Sequence, residues 1–136
     1  MKKLPTDLEI LNVIYEQYYE EFKNYTKEDK SRDAKIYVPI DVQKIASKLK
    51  VDVDIVFGRL YYHLDQKFRY KQDDGSSIPF FALKAGNDIH SVNFPFLASV
   101  LASLRDDAKK HRISIWIAIV SLIIALISIA ISISGI

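Results

Sequence analysis

The sequence predicts an α+β domain followed by a single C-terminal transmembrane helix, and three observations carry that expectation. Residues 113–136 form a run of 24 without one charge. Three earlier stretches place apolar residues at helical spacing, and between residues 67 and 83 the period shortens to two around a turn. At 136 residues the chain is long enough for one domain with a core, plus an anchor. There is no cysteine, which excludes disulfides, thiolate metal sites and a cysteine nucleophile and is compatible with a reducing compartment. Met1 to Asp7 carries two lysines but no apolar run behind them, so it does not read as a secretory signal.

The elements follow in order. Thr6 and Glu9 make a capping box, and Leu8, Leu11, Ile14, Tyr15, Tyr18 and Phe22 continue at helical spacing, so helix 1 runs from Asp7 to Lys23. Asn24 to Lys35 is polar without periodicity and reads as a loop, and Ile36-Tyr37-Val38 before Pro39 reads as a short strand. Asp41 caps a second helix bearing Val42, Ile45, Ala46 and Leu49. Asp52 or Asp54 caps a third bearing Val56, Leu60 and Leu64. Phe68 and Tyr70 then alternate with Lys67, Arg69 and Lys71. Asp73-Asp74-Gly75-Ser76 supplies turn chemistry, and Ile78 to Leu83 is the returning strand, with Pro79 tolerated on an edge.

Helix, strand, helix, helix, hairpin is an order that resembles the winged helix-turn-helix family. Ile45-Ala46, Leu49, Val51, Val56 and Leu60 carry the likeness, a small residue where two helices cross and apolar ones that hold the pair at a steep angle. It covers Asp7 to Lys84, and it departs from the pattern at Lys50, where the tight turn commonly has Gly. The expected division is a winged-helix-like domain over residues 1–92, a juxtamembrane helix over 93–112 and the membrane helix over 113–136.

A 24-residue helix is roughly 36 Å long, enough to cross a hydrocarbon core of about 30 Å. A lone strand in lipid would leave its amides unpaired. Lys109, Lys110, His111 and Arg112 precede the span and Trp116 lies just inside it, which predicts a single-pass, tail-anchored protein with a cytosolic N-terminal domain and contact with the lipid bilayer. Ser114, Ala118, Ser121, Ala125, Ser128, Ser132 and Gly135 recur at spacings of four and three. They form a seam of small residues that predicts a homo-oligomer, against the alternative that they dilute an isoleucine-rich helix. Leu97, Val100, Leu101 and Leu104 continue the same count, so this stripe either extends the pairing or covers the core of the domain.

No catalytic constellation emerges. His63, His90 and His111 are isolated in sequence, no glycine-rich phosphate loop follows a strand, and Asp73-Asp74-Gly75 lacks partner ligands. Neither enzyme activity, a cofactor nor a metal is expected. The family resemblance implies nucleic-acid binding, with helix 3 in the major groove and the hairpin on phosphates, yet residues 1–104 hold 15 basic and 15 acidic residues. A helical wheel centred on Leu60 exposes Asp54, Ile55, Gly58, Arg59, Tyr61, Tyr62, Asp65 and Gln66. In this set one Arg is offset by two Asp, and Ile55 with two Tyr resembles a protein-binding surface. Lys67, Arg69 and Lys71 form a basic stripe that either grips phosphates or guards a strand edge. The expected function is therefore a non-enzymatic, membrane-tethered winged-helix binding module. On the resemblance a DNA-binding regulator comes first, and the alternative is an assembly module that recruits a cytosolic protein.

Overall fold

The structure is a computed structural model that describes residues 3–135. The chain divides into two units, one ending at Leu101 and the other beginning at Ala102. The first is a mixed helix and sheet domain. The second is the exposed continuation of a long apolar helix.

Helix α1 spans Asp7–Lys23, opened by the reciprocal box in which the Glu9 amide donates to Thr6 Oγ1 at 3.1 Å and the Thr6 amide to Glu9 Oε1 at 3.4 Å. It buries Ile10, Leu11, Ile14 and Tyr18. Its last carbonyls meet Arg32, a nearly buried side chain that donates to the carbonyls of Glu21 and Phe22 at 3.2 and 3.4 Å and so caps the helix from a distant loop position. Strand β1 (Tyr37–Pro39) follows. Helix α2 (Val42–Leu49) starts on Asp41, whose carboxylate accepts from the amides of Gln43 and Lys44. It ends with Lys50 in the left-handed region, φ 57° and ψ 42°, while the Val51 amide reaches back to the Ala46 carbonyl. Lys50 thus takes up the backbone conformation that glycine usually supplies in such a turn.

Asp52 caps α3 (Val53–Gly58), which runs without interruption into a π-helical segment (Arg59–Leu64) and then α4 (Asp65–Phe68). A π turn holds more residues than an α turn and rotates everything after it. This overturns the expectation that Asp65 is exposed. Leu60, Leu64 and Asp65 all face the core, and Asp65 is only 1% exposed.

The hairpin is also corrected. Strands β2 (Tyr70–Lys71) and β3 (Ser77–Ile78) pair over two residues each, and the chain then turns at Pro79 because the Phe80 and Phe81 amides both donate to Asp65 Oδ1, at 2.9 and 3.1 Å. Leu83 belongs instead to β4 (Phe81–Ala85). It pairs with β5 (Asp88–Asn93), a strand the sequence pattern did not disclose, through a two-residue turn at Gly86-Asn87. The main sheet is antiparallel with order β1-β5-β4, and Val38, Val92 and Phe81 point into the core.

Helix α5 is continuous from Phe94 to Ser134, across the expected boundary at residues 112/113. Asn93 Oδ1 accepts from the Phe96 amide at its start, and Pro95 stands in the first turn. Phe94, Leu97, Val100 and Leu101 are buried, so the stripe covers the core of the domain through Leu101. Beyond Ala102 the helix is exposed or half-exposed. A window of mean hydropathy 2.8 with no buried residue makes it long and apolar enough to cross a membrane.

Candidate interaction surface

The exposed side of α3 and its π-helical continuation holds most of the side chains marked out by the sequence. Gly58 has no side chain, and an added Cβ there would lie 3.9 Å from the Tyr62 ring, so Tyr62 lies across it and is 73% exposed. Ile55, one turn earlier, is 43% exposed. Tyr61 stacks on Phe57 with ring centroids 5.7 Å apart and meets Tyr62 edge-on at 4.9 Å. Phe57 in turn sets its edge against Phe81 at 5.9 Å and lies 5.5 Å from His90, which has a φ of 51° within β5. The tyrosine pair is therefore the outer end of an aromatic chain rooted in the core, which fixes its position.

The two arginines expected to read or grip a nucleic acid are both paired with carboxylates of their own domain. Arg59 Nη1 donates to the Pro5 carbonyl at 2.9 Å and to Asp7 Oδ1 at 3.0 Å. The other oxygen of Asp7 lies 3.2 Å from His63 Nε2. This clasp ties the start of α1 to the π segment. Arg69 meets Asp65 Oδ2 through Nε and Nη2 at 3.0 and 2.8 Å, and its Nη1 donates to Ser77 Oγ. Lys67 lies over the Phe68 ring at 5.3 Å, and Lys71 and Gln66 are exposed. Of the predicted basic stripe, only Lys67 and Lys71 keep their ammonium groups out of ion pairs among the described residues.

Beside Ile55 lies a groove of about 890 Å³ lined by Leu4, Pro5, Leu49, Val51 and Ile55 with Lys3, Glu9, Lys50 and Asp52 at its polar edges. Sequence reasoning passed over it. The available signal was Leu4-Pro5 standing apolar just outside the capping box, and Leu4 is 61% exposed.

Among the described residues four titratable groups are shifted. Burial pushes the Tyr18 and Tyr37 phenols up and the Arg32 guanidinium down, and hydrogen bonds from Ser76 hold the Asp74 carboxyl below its ordinary value. None of the four lies on the aromatic face. Among the described residues no group of three or more His, Asp or Glu is placed to hold a metal ion.

On the second unit, Ser114, Ala118, Ser121, Ala125, Ser128 and Ser132 are exposed along α5. Ser128 Oγ donates to the Ile124 carbonyl at 2.9 Å, so that hydroxyl is satisfied within its own helix. Gly135 has φ 75° just past the helix end, a conformation that accounts for glycine there without any seam. No protein-family model, curated protein or solved structure matches this chain.

Proposed function

We propose that the chain is a membrane-tethered, non-enzymatic winged-helix module that docks a protein partner through the Ile55, Tyr61 and Tyr62 face. The carrying observation is the internal pairing of Arg59 and Arg69. With both guanidiniums bound to carboxylates of their own domain, the face keeps an aromatic and aliphatic patch of Ile55, Tyr61 and Tyr62 beside the polar Asp54, His63 and Gln66, and aromatic anchors of this kind are favoured at protein interfaces. The winged-helix assignment is supported by the order helix, strand, helix, helix, hairpin, in which the hairpin is now β4 and β5 with β1 alongside. The length and composition of α5 support the tether. The Lys109 to Arg112 cluster supports a cytosolic domain, and the small-residue seam supports a homo-oligomer.

DNA regulation stays as a second reading because Lys67 and Lys71 are free of ion pairs. A DNA titration of the detergent-solubilised chain across a salt series separates the two. A protein-docking role expects no saturable binding at low salt. A regulator expects affinity that falls steeply with salt and weakens further, with a flatter slope, when Lys67 and Lys71 become Ala.

A further inference from the structure

The loop between α1 and β1 is long, yet it is tightly held. Arg32, 4% exposed, donates to the Lys35 carbonyl through Nε at 3.2 Å and Nη2 at 2.6 Å as well as to the end of α1, and its guanidinium lies 4.8 Å from the centroid of the Tyr25 ring. Asp33 Oδ2 accepts from the Asn87 amide at 2.6 Å and the Asp33 amide donates to Asp88 Oδ2 at 2.9 Å, fastening the loop to the β4–β5 turn. The Asp29 amide donates to Thr26 Oγ1 at 2.9 Å, which leaves the threonine hydroxyl proton free to donate elsewhere. Long structureless loops in compact domains are commonly functional, and this one is pre-organised.

What the loop builds is a cavity of about 480 Å³ lined by Tyr25, Thr26, Lys27, Lys30 and Lys35. Its lining holds three cations and no carboxylate. Glu28 and Asp29 are in the same loop but do not line it, and none of the three lysines makes an ion pair among the described residues. Lys35 Nζ lies 5.5 Å from the Phe22 ring centroid. Three lysines in the lining of one concavity, with no carboxylate there to offset them, make it a place where an anion is favoured, and Tyr25 and Thr26 bring hydroxyls to the same lining. The volume exceeds that of a small inorganic ion and falls in the range of small-molecule sites, about 300–1,000 Å³.

We infer that this cavity is a binding site for a phosphomonoester dianion, with Lys27, Lys30 and Lys35 as its charge partners and the Tyr25 and Thr26 hydroxyls as its neutral donors. The group arrives either on a lipid headgroup or on a free phosphate, and both present the same doubly charged oxygens to the lysines. The site is separate from the aromatic face and does not depend on it.

The test uses the full chain in phosphatidylcholine nanodiscs. Inorganic phosphate is titrated while amide NMR shifts of Thr26 and Lys27 are followed, and in parallel the discs are prepared with phosphatidate and the hydrogen exchange of residues 25–35 is measured. The triple variant Lys27→Gln, Lys30→Gln, Lys35→Gln is compared with Lys44→Gln, Lys48→Gln, Lys84→Gln, which removes three exposed charges elsewhere. All six side chains are exposed, so unchanged thermal unfolding of both variants is the expected control. Saturable shifts with free phosphate, weakened about tenfold or more only in the loop variant, identify a soluble ligand. Protection that appears only with phosphatidate and is lost only in the loop variant identifies a headgroup. Neither response in the unsubstituted chain, or equal loss in both variants, overturns the site.

Discussion

At the residue scale, Asp65 has the widest consequences. Its buried carboxylate accepts from two amides and from Arg69, and this arrangement redirects the chain at Pro79 so that β4 enters the main sheet. Asp65→Ala leaves two buried amides unpaired, which costs about 3 kcal/mol by the usual penalty per orphaned donor. Arg69→Ala leaves the buried carboxylate its two amide donors but removes its cation, and should cost about 2 kcal/mol. Chemical denaturation of both variants checks the ranking. Gly86→Ala is expected to lose about 2 kcal/mol or more, because φ is 63° and a Cβ would run into Asp33. The sequence suggested little of this. Asp65 reads as exposed on an α-helical wheel and becomes buried only because the π turn shifts the register after Leu60. Arg59 reads as a free cation because its partner Asp7 is distant in sequence, and Arg69 does so because residues 67–71 read as a strand, which hides its i,i+4 pairing with Asp65 at the end of the helix.

The buried Tyr18 and half-buried Tyr37 phenols add a pH dependence at the same scale. Burial raises Tyr18 and Tyr37 above their ordinary value of 10.0, so the folded domain holds these protons more tightly than the unfolded chain. Their contribution is complete below pH 10 and is lost as pH rises through the raised folded values. Unfolding temperature should therefore fall on alkaline titration above that pH, and Tyr18→Phe should reduce the fall.

At the element scale, caps and periodicities were legible and turns that depend on distant partners were not. Helix α1 begins and ends at Asp7 and Lys23 as its capping box and apolar spacing indicate, and Asp41 and Asp52 cap the next two helices. Strand β5 escaped notice because its apolar Ile89 and Val92 stand three apart, out of the two-residue alternation of a strand, with His90 between them at a positive φ. Lys50 marks the reverse case, an α2–α3 turn that forms although its residue is unsuited to it. Lys50→Gly should stabilise the domain by about 1 kcal/mol by relieving the left-handed strain, measurable as a higher unfolding temperature. Within α5, Ala125→Leu or Ser121→Leu should disrupt association of the span and Ile124→Leu should not, because only the first two enlarge the seam. A membrane-association reporter carrying residues 105–136 reads this directly. Equal signals from all three would leave the small residues without a pairing role.

At the scale of the whole molecule, the chain joins a domain of mixed helix and sheet to a helix with the dimensions of a membrane span. The composition break at residue 113 and the helix leading up to it from residue 93 were legible in the sequence, and the two are one helix that starts at Phe94. Buried Leu97, Val100 and Leu101 are not available to pair between copies, so oligomer contacts along α5 are expected only beyond Leu101. Reporter fusions at both termini should place the N-terminus in the cytosol and the C-terminus on the opposite face, as the Lys109 to Arg112 cluster directs. A cytosolic C-terminal reporter would contradict that orientation.

The proposed protein docking can be tested most directly by placing a photo-crosslinking side chain at position 62 of the full chain in its native membrane, with position 71 as the comparison. Tyr62 is 73% exposed on the aromatic face, and Lys71 is also exposed, on the small hairpin. A docking role predicts one discrete protein adduct from position 62, absent from position 71 and lost when Ile55→Asp places a charge in the same face. An adduct of equal yield at both positions, or one indifferent to Ile55→Asp, would contradict it.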